Sequence, residues 1–170
     1  MNKVLKISST IKPFKKSLNI EGDKSLSIRW SLLASQASGI SRSFNLLKSE
    51  DVIDTLNCLK KLGIKIKLNK KFCEIKGEGL NGFKYNKNII LNAGNSGTLA
   101  RLMLGLLVRS KKNIIIKGDK SLSKRDFLRV TKPLTKFGVK FKTNSGKLPI
   151  IIKGSNFPKP IKYFEKKGSA

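Results

Sequence analysis

The stretch DVIDTLNCLKKLGIKIK (51–67) is answered by DFLRVTKPLTKFGVKFK (126–142), a constant 75 residues further on. Leu59 matches Leu134, Leu62 matches Phe137, Gly63 matches Gly138 and Ile64 matches Val139. Similarity at a fixed offset marks one supersecondary unit used more than once. Val52, Ile53, Leu56, Leu59 and Leu62 fall at helical spacing and predict a helix with one buried stripe. Ser49 stands where a cap belongs, and Glu50 and Asp51 suit the positive end of the helix. Gly63 supplies a left-handed stop. Ile64, Ile66 and Leu68 then alternate with lysines as in a half-buried strand, and a polar turn leads to a second strand over 72–76. The second copy runs likewise to a strand over 150–154, with Pro133 bending or shortening an early turn of its helix.

The segments ahead of each copy also repeat in kind. Residues 25–38 and 96–109 read as helices, followed by strands over 43–47 and 113–117 and preceded by short strands near 18–20 and 88–91. The expected unit is β-α-β-α-β-β, so the fold class is mixed α/β (α+β). The expected domain layout is one incomplete domain over 1–170. Its units cover about 17–79 and about 88–154, with a third beginning near 161–164 and cut short. A unit that cannot bury its own face needs neighbours.

Composition narrows the function without deciding it. The chain carries 37 Lys and Arg against 10 Asp and Glu, a net charge of +27. Only Arg29, Arg42, Arg101, Arg109, Arg125 and Arg129 are arginine, and aromatics are 7%. Nucleic-acid readers lean on arginine and stacking aromatics, which weighs against such a partner. The lysines suit small anions equally well. Histidine is absent, so no Cys/His zinc site can form, and Cys58 and Cys73 read as reduced core thiols. No metal and no cofactor are expected. No apolar run reaches bilayer length and the start MNKVLKI has no signal-peptide core, so the expected place is the cytoplasm, off the membrane.

Three glycine-containing loops lead into helices: EGDKSLSIR (21–29), NAGNSGTLAR (92–101) and GDKSLSKR (118–125). A helix start offers free N–H groups and partial positive charge. Glycine allows close approach, Ser and Thr add hydroxyls, and Arg grips phosphate or carboxylate with paired bonds. Lys24 with Arg29 can serve one anion and Arg125 another. This is no nucleotide-binding P-loop, because Asp23 separates Gly22 from Lys24. No acid–base or Cys–His catalytic set is evident.

The stretch 22–29 resembles the GDKSxSxR motif of the 5-enolpyruvylshikimate-3-phosphate synthases, Gly94 to Thr98 with Arg101 resembles their GNSGTxxR, and 118–125 their GDxSLxxR. The likeness runs from about Lys12 to the last residue. The resemblance implies two domains of three β-α-β-α-β-β units, of which most of a third unit and the second domain are missing here. The strand 3–8 would pack with that second domain. It implies the shikimate-pathway step toward chorismate and aromatic amino acids. In that step the enolpyruvyl group of phosphoenolpyruvate moves to the 5-hydroxyl of shikimate 3-phosphate and phosphate leaves. By resemblance Lys24, Ser25, Arg29 and Ser169 bind shikimate 3-phosphate. Lys24, Gly97, Arg125 and, more weakly, Arg101 bind phosphoenolpyruvate. The acid–base groups belong to the second domain, so this chain alone is expected to be inactive. Full-length relatives are expected to be monomers.

Two departures stand out. Asp126 replaces a usual proline, and its carboxylate can either weaken the grip of Arg125 or cap a helix. Lys48 stands where an acid is common and reads as a surface change. The sister transferase acting on UDP-N-acetylglucosamine fits less well, since it has Asn where this chain has Ser25. A basic RNA-binding module and a non-catalytic remnant are the alternatives.

Overall fold

The computed structural model describes residues 4, 6, 8–10, 12–13, 15–18, 20–86 and 88–165. Its fold is mixed α/β. In chain order the elements are α1 (Lys24–Gln36), β1 (Ser38–Ser43), α2 (Glu50–Lys61), β2 (Lys65–Leu68), β3 (Cys73–Glu78), β4 (Ile89–Asn92), α3 (Gly97–Leu106), β5 (Ile114–Lys117), a 3-10 turn (Leu122–Lys124), α4 (Leu128–Lys136), β6 (Lys140–Asn144) and β7 (Lys147–Lys153). One sheet has the order β1-β3-β2 and is antiparallel; the other has the order β4-β5-β7-β6, with β4 and β5 parallel.

The helices and the strands share one core. Ile28 and Leu32 of α1, Val52, Leu56 and Leu59 of α2, Leu99, Met103 and Leu104 of α3 and Phe127 before α4 are buried with Ile75, Ile114, Ile150 and Ile152 of the strands. Fully burying a side chain of this size stabilises by roughly 1.5–3 kcal/mol, so the core rather than helix propensity holds the short helices.

The 75-residue offset extends to hydrogen bonds. Leu62 N donates to Cys58 O at 3.1 Å, and Phe137 N to Pro133 O at 3.4 Å. Gly63 N donates to Lys60 O and Gly138 N to Thr135 O; Ile64 N donates to Leu59 O and Val139 N to Leu134 O. Lys84 N donates to Leu62 O, and Lys159 N to Phe137 O. Gly63 and Gly138 have φ of 88° and 95°, a region where a side chain is strained.

Several expectations need correction. The strand expected over 43–47 lies earlier, at β1, because Ser38 to Ser43 pair with Glu78 to Cys73; residues 44–49 form a loop. The strand expected near 18–20 is absent at the described Leu18 and Ile20, where the Asn45 side chain takes the Ile20 carbonyl at 3.0 Å. Residues 161–164 form no strand either; Lys136 Nζ lies 5.3 Å from the Tyr163 ring centroid. A strand needs a partner edge, as β5 provides for β4, and no described segment provides one at these two places. Ser49 occupies the N-cap position of α2 but makes no capping hydrogen bond. Pro133 is the sixth residue of α4, not in its first turn, and α4 has 9 residues against 12 in α2. Of the strand expected over 3–8, residues 3, 5 and 7 lie outside the described residues. Among the described residues no helix is long and apolar enough to cross a membrane.

Candidate functional site

Each glycine loop is held by its own small residues. Asp23 Oδ1 accepts from Leu26 N at 2.7 Å, which starts α1 at Lys24. Ser96 Oγ accepts from Leu99 N at 3.3 Å and starts α3 at Gly97. Asp119 Oδ1 accepts from Leu122 N at 2.6 Å and closes the 3-10 turn, after which Arg125 is extended with φ −75° and ψ 151°. The second and third loops are joined by Asp119 N, which donates to Gly94 O at 2.8 Å, and by Ala93 N, which donates to Lys117 O at 2.8 Å.

These three loop ends and the start of α2 enclose a cleft of about 320 Å³ lined by Lys24, Asp51, Asn95, Gly97, Thr98, Arg101 and Arg125. Gly97 lies beneath two guanidinium groups. A methyl added there would sit 3.1 Å from Arg101 Nη1 and 3.2 Å from Arg125 Nη1. Arg101 also lies 5.4 Å from the centroid of the buried Phe127 ring, and its Nη2 donates to Asp126 O at 3.5 Å. Arg125 Nη2 donates to Asn95 Oδ1 at 2.8 Å. Lys24 Nζ is 3.0 Å from Asp51 Oδ2. Three cations and one carboxylate therefore face one space, beside the N-terminus of α3, whose first N–H groups have no intrahelical acceptor. Such a site favours an anion carrying more than one charge.

Lys24, Gly97, Arg101 and Arg125 come together as expected residues of one site. Ser25 and Arg29 do not line this cleft; they stand one turn apart on α1, Ser25 half-buried and Arg29 exposed. Ser169 lies outside the described residues. Asp126 Oδ1 accepts from Leu128 N at 2.7 Å, a turn bond one residue ahead of the N-cap position of α4, which Phe127 holds without a side-chain cap bond, and the Asp126 carboxylate makes no ion pair among the described residues. Lys48 is exposed and donates to Lys70 O at 3.4 Å. Asp51 and Asn95 were not singled out as site residues. Asn95 sits inside the second glycine loop, whereas nothing in the spacing links Asp51 to Lys24.

A larger hollow of about 460 Å³ lies between residues 44–49, residues 70–73 and Glu21. None of the expected anion-gripping residues lines it. The thiols are no candidates for nucleophiles. Burial pushes Cys58 up to about 12, helped by the Asp54 charge, and pushes Cys73 up to about 11. Cys58 Sγ donates to Asn92 O at 3.3 Å. Asp54, one turn beyond Asp51, is raised above the ordinary carboxylate value by burial and then by the Glu50 and Asp51 charges. Among the described residues no group of His, Cys, Asp or Glu is placed to hold a metal ion.

The family model described as EPSP synthase (3-phosphoshikimate 1-carboxyvinyltransferase) matches residues 8–170. The 3-phosphoshikimate 1-carboxyvinyltransferase of Oenococcus oeni is 45% identical over 148 residues, covering 86% of this chain and 34% of the relative. That of Streptococcus suis is 38% identical over 161 residues, covering 94% of this chain and 38% of the relative. The solved EPSP synthase of Acinetobacter baumannii superposes with a TM-score of 0.84 at 34% identity, over 90% of this chain and 35% of that one. The chain thus spans little more than a third of the length of these relatives.

Proposed function

The chain belongs to the EPSP synthase (3-phosphoshikimate 1-carboxyvinyltransferase) family of shikimate-pathway enzymes, and on that premise we propose that its cation-lined cleft is the phosphoenolpyruvate-binding part of a carboxyvinyltransferase site. The proposed reaction moves the enolpyruvyl group onto the 5-hydroxyl of shikimate 3-phosphate and releases phosphate. The observation that carries this is the convergence of Lys24, Arg101 and Arg125 around Gly97 in one cleft. Arg101 and Arg125 grip the phosphoenolpyruvate anion, and the missing side chain at Gly97 leaves room for it against the start of α3. Lys24, at the junction of the cleft and α1, serves both substrates. Ser25 and Arg29, on the neighbouring face of α1, take the phosphate of shikimate 3-phosphate together with Ser169. Charge that builds on the leaving phosphate is met by cations already in place, the arrangement that lowers barriers most.

The same premise makes 17–79 and 88–154 two of the family's repeated units, a reading supported by hydrogen bonds that recur 75 residues apart. It also makes strand 3–8 and a unit from about 161 parts of the wider fold. The one carboxylate lining the cleft, Asp51, is engaged by Lys24, so the cleft has no spare acid or base. The chain by itself is therefore expected to bind both substrates without turning them over.

The test titrates the chain with phosphoenolpyruvate and with shikimate 3-phosphate, followed by phosphorus NMR, beside a phosphate-release assay. Binding of both without release is the expected result. Steady-state turnover would overturn the assignment of a binding part only. Salt-steep RNA binding with no response to either metabolite would replace the whole reading with an RNA-binding module.

A further inference from the structure

We propose that Asp51 and Asn95 are the positioning residues of the cleft, Asp51 holding the Lys24 ammonium and Asn95 the Arg125 guanidinium, so that both cations stand in place before an anion arrives. This rests on reading the cleft as an anion site.

A carboxylate beside an anion-binding lysine is at first sight a fault, because its charge repels the ligand. Its surroundings argue for a holding role. The Asp51 side chain is 20% exposed while that of Lys24 is 50% exposed, so the acid is the anchored member of the pair. Asp51 sits in the first turn of α2, whose next residue Val52 is fully buried. Asn95 makes the same kind of contact to the other side of the cleft. Arginine only donates, so the amide oxygen must face Arg125, and the Asn95 NH2 group is turned away from it. Arg101 has its own support in the Phe127 ring and the Asp126 carbonyl. Every cation of the cleft is thus steadied by a group from another segment. Long flexible side chains lose much rotamer freedom on binding, and fixing them beforehand moves that cost into folding.

The sign of one substitution separates the two views. If Asp51 only repels, Asp51→Asn tightens the binding of inorganic phosphate and phosphoenolpyruvate, and does so equally with Lys24→Ala present. If Asp51 positions Lys24, Asp51→Asn weakens binding by about three- to tenfold and has no weakening effect in the Lys24→Ala background. Asn95→Ala, which changes no charge, should likewise weaken binding by about three- to tenfold and do nothing further in Arg125→Ala. Asp51→Glu should recover part of the loss. A second readout needs no ligand: acylation of Lys24, followed by peptide mass spectrometry, should quicken in Asp51→Asn while the exposed Lys120 labels at its former rate. If the parent binds neither anion, the functional reading fails while Lys24 labelling still decides the role of Asp51. Uniform tightening in both backgrounds, or unchanged Lys24 labelling, overturns the proposal.

Discussion

The hexapeptide GDKSLS occurs at 22–27 and again at 118–123, and in both places an arginine stands seven residues after the glycine. The aspartate does the same local work in each, Asp23 capping Leu26 N at 2.7 Å and Asp119 capping Leu122 N at 2.6 Å. Beyond the cap the two copies part. The first continues into the 13-residue α1, while the second closes after 3 residues and leaves Arg125 extended. Their basic residues exchange places as a result. Lys24 lines the cleft and Arg29 does not; Arg125 lines it and Lys120 does not. The residues downstream of each hexapeptide account for the split. Ile28 and Leu32, both buried, carry the first copy on as a helix with a core-facing stripe. After the second copy, Asp126 takes the Leu128 N–H and sets a new start for α4. A motif of this kind fixes a cap, and the apolar residues beyond it decide which side chain lines the cleft.

The sharpest way to break this comparison is to remove both arginines in turn. Arg125→Ala should lower phosphoenolpyruvate affinity by about ten- to a hundredfold, the range for a charge-assisted hydrogen-bonding group. Arg29→Ala should leave that affinity within about twofold and act on shikimate 3-phosphate instead. Equal losses for phosphoenolpyruvate would show that the two copies are not distinguished in the way the cleft implies. The lysines give the mirror experiment with a somewhat smaller effect. Lys24→Ala should cost about tenfold in phosphoenolpyruvate affinity, and the exposed Lys120→Ala should cost nothing measurable by the same titration.

The aspartates probe the shared part. Asp23→Ala removes a cap from a full helix and should cost about 1 kcal/mol in urea unfolding. Asp119→Ala removes a cap from a single 3-10 turn, so its stability loss should be smaller. It should nevertheless weaken phosphoenolpyruvate binding more than Asp23→Ala, because that turn carries Arg125. Matching stability and affinity losses for the two variants would erase the distinction.

Sequence periodicity was a good guide wherever one element answered to its own pattern. Helix α2 lies where Val52, Leu56 and Leu59 demanded it, and Gly63 and Gly138 stop their helices with the positive φ expected of them. It failed where a partner decided the outcome. The apolar Phe44, Leu46 and Leu47 suggested a strand, yet pairing with β3 selected the polar run 38–43. Asp51 carried a sufficient local reason, the helix dipole, which hid its contact with Lys24 across 27 residues of chain. Its counterpart 75 residues on, Asp126, closes a turn onto Leu128 N just ahead of α4 and pairs with no cation among the described residues, so repeat position did not transfer the role. The three motifs lie on loops that meet at one cleft, and that convergence is a property of helix packing that no single motif contains.

The smallest expected effect concerns a carboxylate present on one side of the comparison only. Asp54 lies beneath the second loop near Asp51, and its repeat counterpart is Arg129. Burial, then the Glu50 and Asp51 charges, raise its pKa above the unfolded value of 3.8. The folded chain therefore holds this proton more tightly than the unfolded one, so ionising Asp54 opposes folding. Its share of stability is present below pH 3.8, falls as pH rises through the folded value, and stays lost at neutral pH. Asp54→Asn should consequently be slightly more stable than the parent at pH 7 in urea unfolding, by about 0.5 kcal/mol or less for a half-buried group whose charge water still screens. That advantage should shrink as pH falls through the folded value and vanish below pH 3.8. An advantage that grows in acid would mean that Asp54 is stabilised as a carboxylate, and the acidic cluster beneath Lys24 would then be an attractive network rather than a strained one.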